Sequence, residues 1–169
     1  MKMAELLADA FGRVHGVVHE VVDGCATEDL VARIDSEANS IAWLVWHLTR
    51  IQDDHIAGVA GVAQAYTSLG WAQRFAFPFD VSDTGYAHGP AQVAAVVTDG
   101  ETLLGYHDAV YQNTLEFVGR LTDGDLDRIV DTNWDPPVTM GVRIVSVISD
   151  DLQHAGQAAY VRGILLDRS

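Results

Sequence analysis

The sequence predicts an all-α protein, a bundle of four long helices with long crossover connections. Three observations lead there. Apolar residues recur at spacings of three and four along four stretches. Those stretches open or close on residues that start or stop helices. The segments between them are too unequal for the simplest up-down-up-down bundle.

The first helix is expected over residues 4–22, where Leu6, Leu7, Ala10, Phe11, Val14, Val17, Val18, Val21 and Val22 make one apolar stripe and Asp23-Gly24 ends it. The second opens on Asn39-Ser40, a good N-cap pair, and runs through IAWLVWHLTRIQDDHIAGVAG to Gly61. The third is expected over residues 99–121 with Thr98 as its N-cap, and the fourth from Thr139, downstream of Pro136-Pro137, to Leu166. A short turn is expected at residues 27–30 and an extended piece at Arg128-Ile129-Val130. The stretch 62–98 is long for a connection in a compact domain, and such stretches are usually functional or structured. Trp71, Phe75, Phe77 and Phe79 give it an aromatic density that disordered segments lack, so an ordered excursion over one end of the bundle is expected.

Composition sets the outer bounds. The length of 169 residues fits a single domain, residues 1–169, and 49% hydrophobic content supplies a sizeable core. No apolar run of about 18 residues marks a membrane span, and the first residues carry acids without a small-residue cleavage site. A cytoplasmic protein is the expectation. A net charge of −14 repels phosphate backbones, which argues against nucleic-acid partners. Cys25 is the only cysteine, so neither an internal disulfide nor a zinc ribbon can form, and no His or Lys beside it would activate a thiolate.

The residues able to carry chemistry lie on the second and fourth helices. Asp150 and His154 are separated by four and share a helix face, within reach of one ion. His47 sits among Trp43, Leu44, Trp46, Leu48 and Ile51, so it should face the interior, where a buried imidazole needs partners. Taken singly, His47 reads as a core histidine and Asp150/His154 as a surface ion pair. Taken together, the three form a ligand set with open positions, as catalytic metal sites have. Asp151 is the alternative carboxylate. His55 lies two turns beyond His47, about 12 Å along the axis, too far to share an ion. Asp53-Asp54 read as a solvated acidic face, and His15, His19 and His107 as structural residues on polar or boundary faces. His88 lines a pocket mouth or holds a turn, and Trp71 and Trp134 are core residues or cavity walls. Arg50, Arg143 and Arg162 could anchor an anionic ligand group, although a salt bridge explains each equally well.

The segments NSIAWLVWHLTRIQDDH, GWAQRFAFPFD, DTGYAHGP and DDLQHAGQAAYVRG resemble the DinB-like metalloprotein superfamily, and more narrowly its actinobacterial branch of mycothiol-dependent transferases and maleylpyruvate isomerases. The resemblance spans nearly the whole chain. The family pattern, a histidine late in the second helix and a ligand, three residues, a histidine and Gly-Gln in the fourth, falls on His47, Asp150, His154 and Gly156-Gln157. Many relatives have histidine where this chain has Asp150; a carboxylate there leans toward the thiol-transferase side. The resemblance implies a divalent metal, zinc first, with nickel, manganese or iron also suited to two histidines and a carboxylate. It implies an S-transferase that conjugates a small thiol, mycothiol, to an electrophile, with Arg50, His88 and Arg143 as candidates for holding the thiol cofactor. A metal-binding stress-response module without turnover and a metal-dependent hydrolase are the alternatives. Relatives are often dimers, and exposed helix faces here permit a homodimer.

Overall fold

Each of the four periodic stretches is a helix. The structure, a computed structural model, describes residues 1–166, so the last three residues of the expected domain lie outside it. In chain order the helices are α1 (Met3–Val22), α2 (Thr27–Val31), α3 (Ile41–Ala60), α4 (Ala65–Ser68), α5 (Trp71–Phe75), α6 (Pro90–Ala95), α7 (Gly100–Val118) and α8 (Met140–Leu165). A 3₁₀ turn (Asp123–Asp127) and a small antiparallel ribbon of β1 (Ile129–Asp131) and β2 (Val138–Thr139) link α7 to α8. The ribbon is the extended piece expected near Ile129. None of these helices is long and apolar enough to cross a membrane.

Local chemistry accounts for the boundaries. Trp43 N donates to Ser40 Oγ at the start of α3, and Gly61 ends that helix in the left-handed conformation, φ 71°. Thr139 caps α8 by accepting from Val142 N. The third helix differs from expectation. Its cap is Asp99, not Thr98, because the Asp99 carboxylate accepts from Thr102 N at 2.7 Å, and a carboxylate also complements the helix dipole.

The bundle is not a simple meander. α3 packs most extensively on α8 and also on α7, whereas α1 packs on α7 and α8. Contact between α1 and α3 is slight, and that between α7 and α8 slighter still, so these two consecutive pairs of long helices stand diagonally, whereas α3 and α7 are neighbours despite the longest link between them.

α3 is the central element. Residues 41–50 are all buried, and Ile41, Leu44, Val45 and Leu48 are each at most 1% exposed. Each such burial contributes about 1.5–3 kcal/mol. The helix therefore carries its polar residues into the core, where they need partners. Asp53 corrects the expectation of a solvated acidic face. It is 3% exposed and accepts from Ala65 N, Tyr66 N and the Tyr106 hydroxyl at 2.8–2.9 Å, pinning the start of α4. Its burial raises its pKa, against the pull of those donors. Asp54 accepts from Gln64 Nε2.

The excursion between α3 and α7 is ordered. Trp71 is seated against Gly105 of α7, where an added Cβ would come within 2.7 Å of its ring. Phe77 and Phe79 pack on Trp46, with centroids 5.6 and 5.9 Å away. Trp71 is thus a core residue, while Trp134 is 66% exposed. Cys25 is half-buried, donates to Val21 O, and has a thiol pKa pushed up by burial, the opposite of an activated nucleophile.

His107 lies deeper than the sequence reading placed it, at 1% exposure. Thr49 donates its hydroxyl to Val45 O and accepts from His107 Nδ1 at 3.0 Å, which ties α3 to α7. Burial first, and His15 beside it second, push the His107 pKa from 6.5 down to about 3. Between those values the unfolded chain takes up a proton that the folded chain refuses. His107 therefore lowers stability as pH falls through that window, by at most about 1.4 kcal/mol per pH unit. Replacing it with glutamine, which keeps a donor for Thr49 but cannot titrate, should flatten the pH dependence. Urea unfolding of both proteins at pH 7, 6 and 5 should show the variant losing less stability, by on the order of 1 kcal/mol; parallel profiles would refute the assignment.

Candidate metal centre

The α3–α8 interface brings His47, Asp150 and His154 together. One ligand atom from each lies within 4.8 Å of the others, and the His47 and His154 rings are 4.8 Å apart and nearly edge to face. His47 is 6% exposed; the side chains of His154 and Asp150 are 19% and 35% exposed, so the cluster opens from the core toward solvent. Asp151, the alternative carboxylate, points elsewhere. It is completely buried, neither of its oxygens has a hydrogen-bond partner among the described residues, and burial reinforced by Asp150 raises its pKa well above the carboxyl range. Asp151 is thereby favoured as a neutral group inside the bundle.

Two hydrogen bonds decide what the imidazoles can do. The Thr84 carbonyl accepts from His47 Nδ1 at 2.6 Å, and Gln157 Oε1 accepts from His154 Nδ1 at 2.9 Å. A carbonyl oxygen can only accept, so the proton of each neutral ring sits on Nδ1 and the Nε2 lone pair is bare. Metal-bound histidines show this same arrangement, with the distal nitrogen tied to an oxygen. Asp150 Oδ1 stands 3.6 Å from His154 Nε2, beyond a good hydrogen bond, and Asp150 Oδ2 is buried with no partner among the described residues. Two bare imidazole nitrogens and an orphaned carboxylate oxygen converge, a donor set that fits a divalent ion.

The charges agree. Burial holds the His47 pKa below its ordinary value, so the ring is neutral and ligand-competent. Burial alone would raise Asp150, but His154, His47 and His55 around it hold its pKa below the ordinary value. The Asp150 carboxylate in turn pushes the His154 pKa up.

The loop at residues 83–88 builds the wall behind His47. Trp43 stacks on His47 with centroids 4.6 Å apart and donates its indole N–H to His88 Nδ1. His88 Nε2 then donates to Asp83 Oδ2 at 3.0 Å, so His88 has the opposite tautomer from His47. Its side chain is 2% exposed and both nitrogens are engaged, which fits the turn-holding alternative. Arg50 is 0% exposed, donates to Asp83 O, Gln64 Oε1 and the Tyr106 hydroxyl, and lies 4.2 Å over the Tyr66 ring. Arg143 donates to Asp131 Oδ2 at 2.8 Å and approaches His55 Nδ1 at 3.0 Å. Arg162 donates to the carbonyls of Glu20, Val21 and Asp23. All four side chains have partners inside the protein, and none joins the cluster. His55 stays outside it too, beside a cleft of about 540 Å³ bordered by Asp54, Gln64, Arg128 and Arg143.

Thr84, Gly85 and Trp43 shape the site without having been singled out for it by the sequence, whereas Gln157 belongs to the family pattern. The Gly-Gln that follows His154 was the available signal for Gln157. A carbonyl such as that of Thr84 leaves no mark on residue identity.

Fold and site together define a helical-bundle protein with a two-histidine, one-carboxylate cluster. The sequence profile of the DinB superfamily matches residues 10–158, and the chain belongs to that superfamily. A crystal structure of a conserved protein from Enterococcus faecalis is similar over 99% of both chains, with 29% identity and a TM-score of 0.91. No curated protein matches the chain.

Gly85 offers a test of how the His47 ring is held. Its φ is +89°, and an added Cβ would lie 2.9 Å from His47 Nδ1 and 3.0 Å from the Trp46 ring. Gly85→Ala should cost about 1–3 kcal/mol in urea unfolding. It should also shift the ¹⁵N resonance of His47 Nδ1, which in the metal-free wild type should report a protonated nitrogen. A wild-type spectrum with the proton on Nε2 would contradict the tautomer.

Proposed function

We propose that His47, Asp150 and His154 bind one divalent metal ion, zinc first among candidates, and that the protein conjugates a low-molecular-weight thiol, mycothiol, to an electrophilic small molecule. The observation that carries the metal reading is the pair of Nδ1–H bonds, to Thr84 O and Gln157 Oε1, which leave both Nε2 atoms bare beside Asp150. Two imidazoles and a carboxylate suit zinc, nickel, manganese or iron better than calcium or magnesium. Three protein ligands leave a position open, as in catalytic rather than structural zinc sites. A bound ion would supply Lewis acidity, which deprotonates a coordinating thiol.

The chain's own residues do the rest. Trp43 and the Thr84 carbonyl fix the plane and tautomer of His47, and Gln157 does so for His154. Asp150 offers one oxygen toward the cluster and holds a negative charge close to it. The cleft beside His55 is lined by none of the three cluster residues, so it is not assigned to the electrophile. His55 is near enough for its charge to act on Asp150. The thiol must come from a co-substrate, since the half-buried Cys25 has a raised pKa and donates to a helix carbonyl.

Metal content and turnover test the reading separately. His47→Ala and His154→Ala should each lose one equivalent of zinc by elemental analysis while keeping the helical circular-dichroism spectrum, and His55→Ala should lose none. Full metal content in either of the first two variants would remove the site. The zinc-loaded protein, given a chlorobimane electrophile, should form conjugate faster than the uncatalysed rate with mycothiol and not with glutathione. Ester or amide cleavage without thiol would instead indicate a hydrolase, and no turnover with either would indicate a metal-binding module.

A further inference from the structure

On the other side of the helix pairings, α1 and α7 bring together a second group of side chains. His15 and His19 are four residues apart on one face of α1, and Asp108 projects from α7. Both imidazoles reach the same carboxylate oxygen: His15 Nε2 lies 2.8 Å and His19 Nε2 2.7 Å from Asp108 Oδ1. We propose that His15, His19 and Asp108 form a second divalent transition-metal site that staples α1 to α7. This proposal is independent of the site between α3 and α8.

Geometry supports an ion here rather than a loose surface ion pair. The three ligand atoms lie within 4.8 Å of one another. A tetrahedral zinc with bonds of about 2.0–2.1 Å needs its ligand atoms about 3.3 Å apart, so His15 and His19 need retreat from Asp108 Oδ1 by only about 0.5 Å. The His15 ring is already held in plane. It stacks on Tyr111 with centroids 4.2 Å apart and on the buried His107 at 5.6 Å. Gly12, one turn earlier on α1, leaves room for Tyr111, since a Cβ there would be 3.3 Å from the Tyr111 hydroxyl.

Access and chemistry fit as well. The side chains of His15, His19 and Asp108 are 27%, 31% and 46% exposed, so an ion can enter from solvent and retain water on its remaining positions. Asp23 Oδ2 stands 4.0 Å from His19 Nδ1, beyond a hydrogen bond, and adds negative charge behind that ring. Two imidazoles with one carboxylate favour zinc, nickel or copper(II) over magnesium or calcium. Because α1 and α7 are packed neighbours contributed by opposite halves of the chain, an ion held by both would stabilise the folded state over the unfolded one.

The test separates the two sites by stoichiometry. Zinc calorimetry should count two equivalents on the wild type and one on His47→Ala/His154→Ala, with circular dichroism confirming that the double variant is folded. In that background, zinc should raise the melting temperature, magnesium should not, and His15→Ala or Asp108→Ala should weaken zinc binding at least tenfold. If the double variant is folded and binds no zinc, the second site does not exist. If Asp108→Ala binds zinc as tightly as its parent, the ion is held by a histidine pair alone and the three-ligand site is wrong. Should the double variant fail to fold, His15→Ala/His19→Ala in the otherwise wild-type protein gives the same answer: a count falling from two to one supports the site, and an unchanged count overturns it. Failure of the first site reads differently, since His47→Ala would then keep every equivalent while His15→Ala lost one.

Discussion

The complete burial of the first half of α3 is the constraint from which most of the molecule follows. A helix enclosed on all sides cannot leave a polar side chain to water, yet this one carries His47, Thr49, Arg50, Gln52 and Asp53. Each must be answered from another element, and most of the answers come from the excursion that follows: Asp83 O and Gln64 for Arg50, Thr84 O for His47, the first amides of α4 for Asp53. Gln52 and Thr49 are answered instead from α7, by Thr114 and His107. At the cluster with Asp150 and His154 this accounting stays incomplete beside solvent, where Asp150 Oδ2 has no partner among the described residues.

Much of this was legible in the sequence, for identifiable reasons. The long helices are written in spacings of three and four, and the cap of α3 in Ser40. His47 was legible because its neighbours are apolar, and Asp150 and His154 because four residues on a helix make one face. The family spacing of a ligand, three residues and a histidine favoured Asp150 over Asp151, but that Asp151 turns into the core comes only from the docking of α8. Asp53 was misread because its partners are backbone amides and a tyrosine far along the chain, none of which marks a carboxylate as buried. His107 was placed on a boundary face because nothing in its own stretch marks Thr49 of α3 as its partner. The grouping of His15 and His19 with Asp108 was missed because an i,i+4 histidine pair says nothing about which residue of a distant helix will face it.

Protonation in the bundle is set locally, ring by ring. His47 and His154 carry their protons on Nδ1 because carbonyl oxygens accept there, whereas His88 carries its proton on Nε2 because the Trp43 indole donates to its other nitrogen. His47 and His88 are both instructed by the short loop of Asp83, Thr84 and Gly85, and they receive opposite instructions. A single type of side chain thereby turns a bare Nε2 toward a carboxylate in one place and braces a tryptophan in the next.

That loop also bears on how the family can diversify. Two successive carbonyls, those of Asp83 and Thr84, reach two residues of α3, Arg50 and His47, and Gly85 passes so close to the ring that no side chain fits between them. Insertions or deletions earlier in the excursion could be absorbed, because the chain has slack between its short helices. A one-residue slip within the loop itself would carry the Thr84 carbonyl away from His47 Nδ1 and take away that ring's acceptor. Such slips should be purged during divergence even where every ligand residue is retained, leaving a stretch of fixed length inside a region otherwise free to vary.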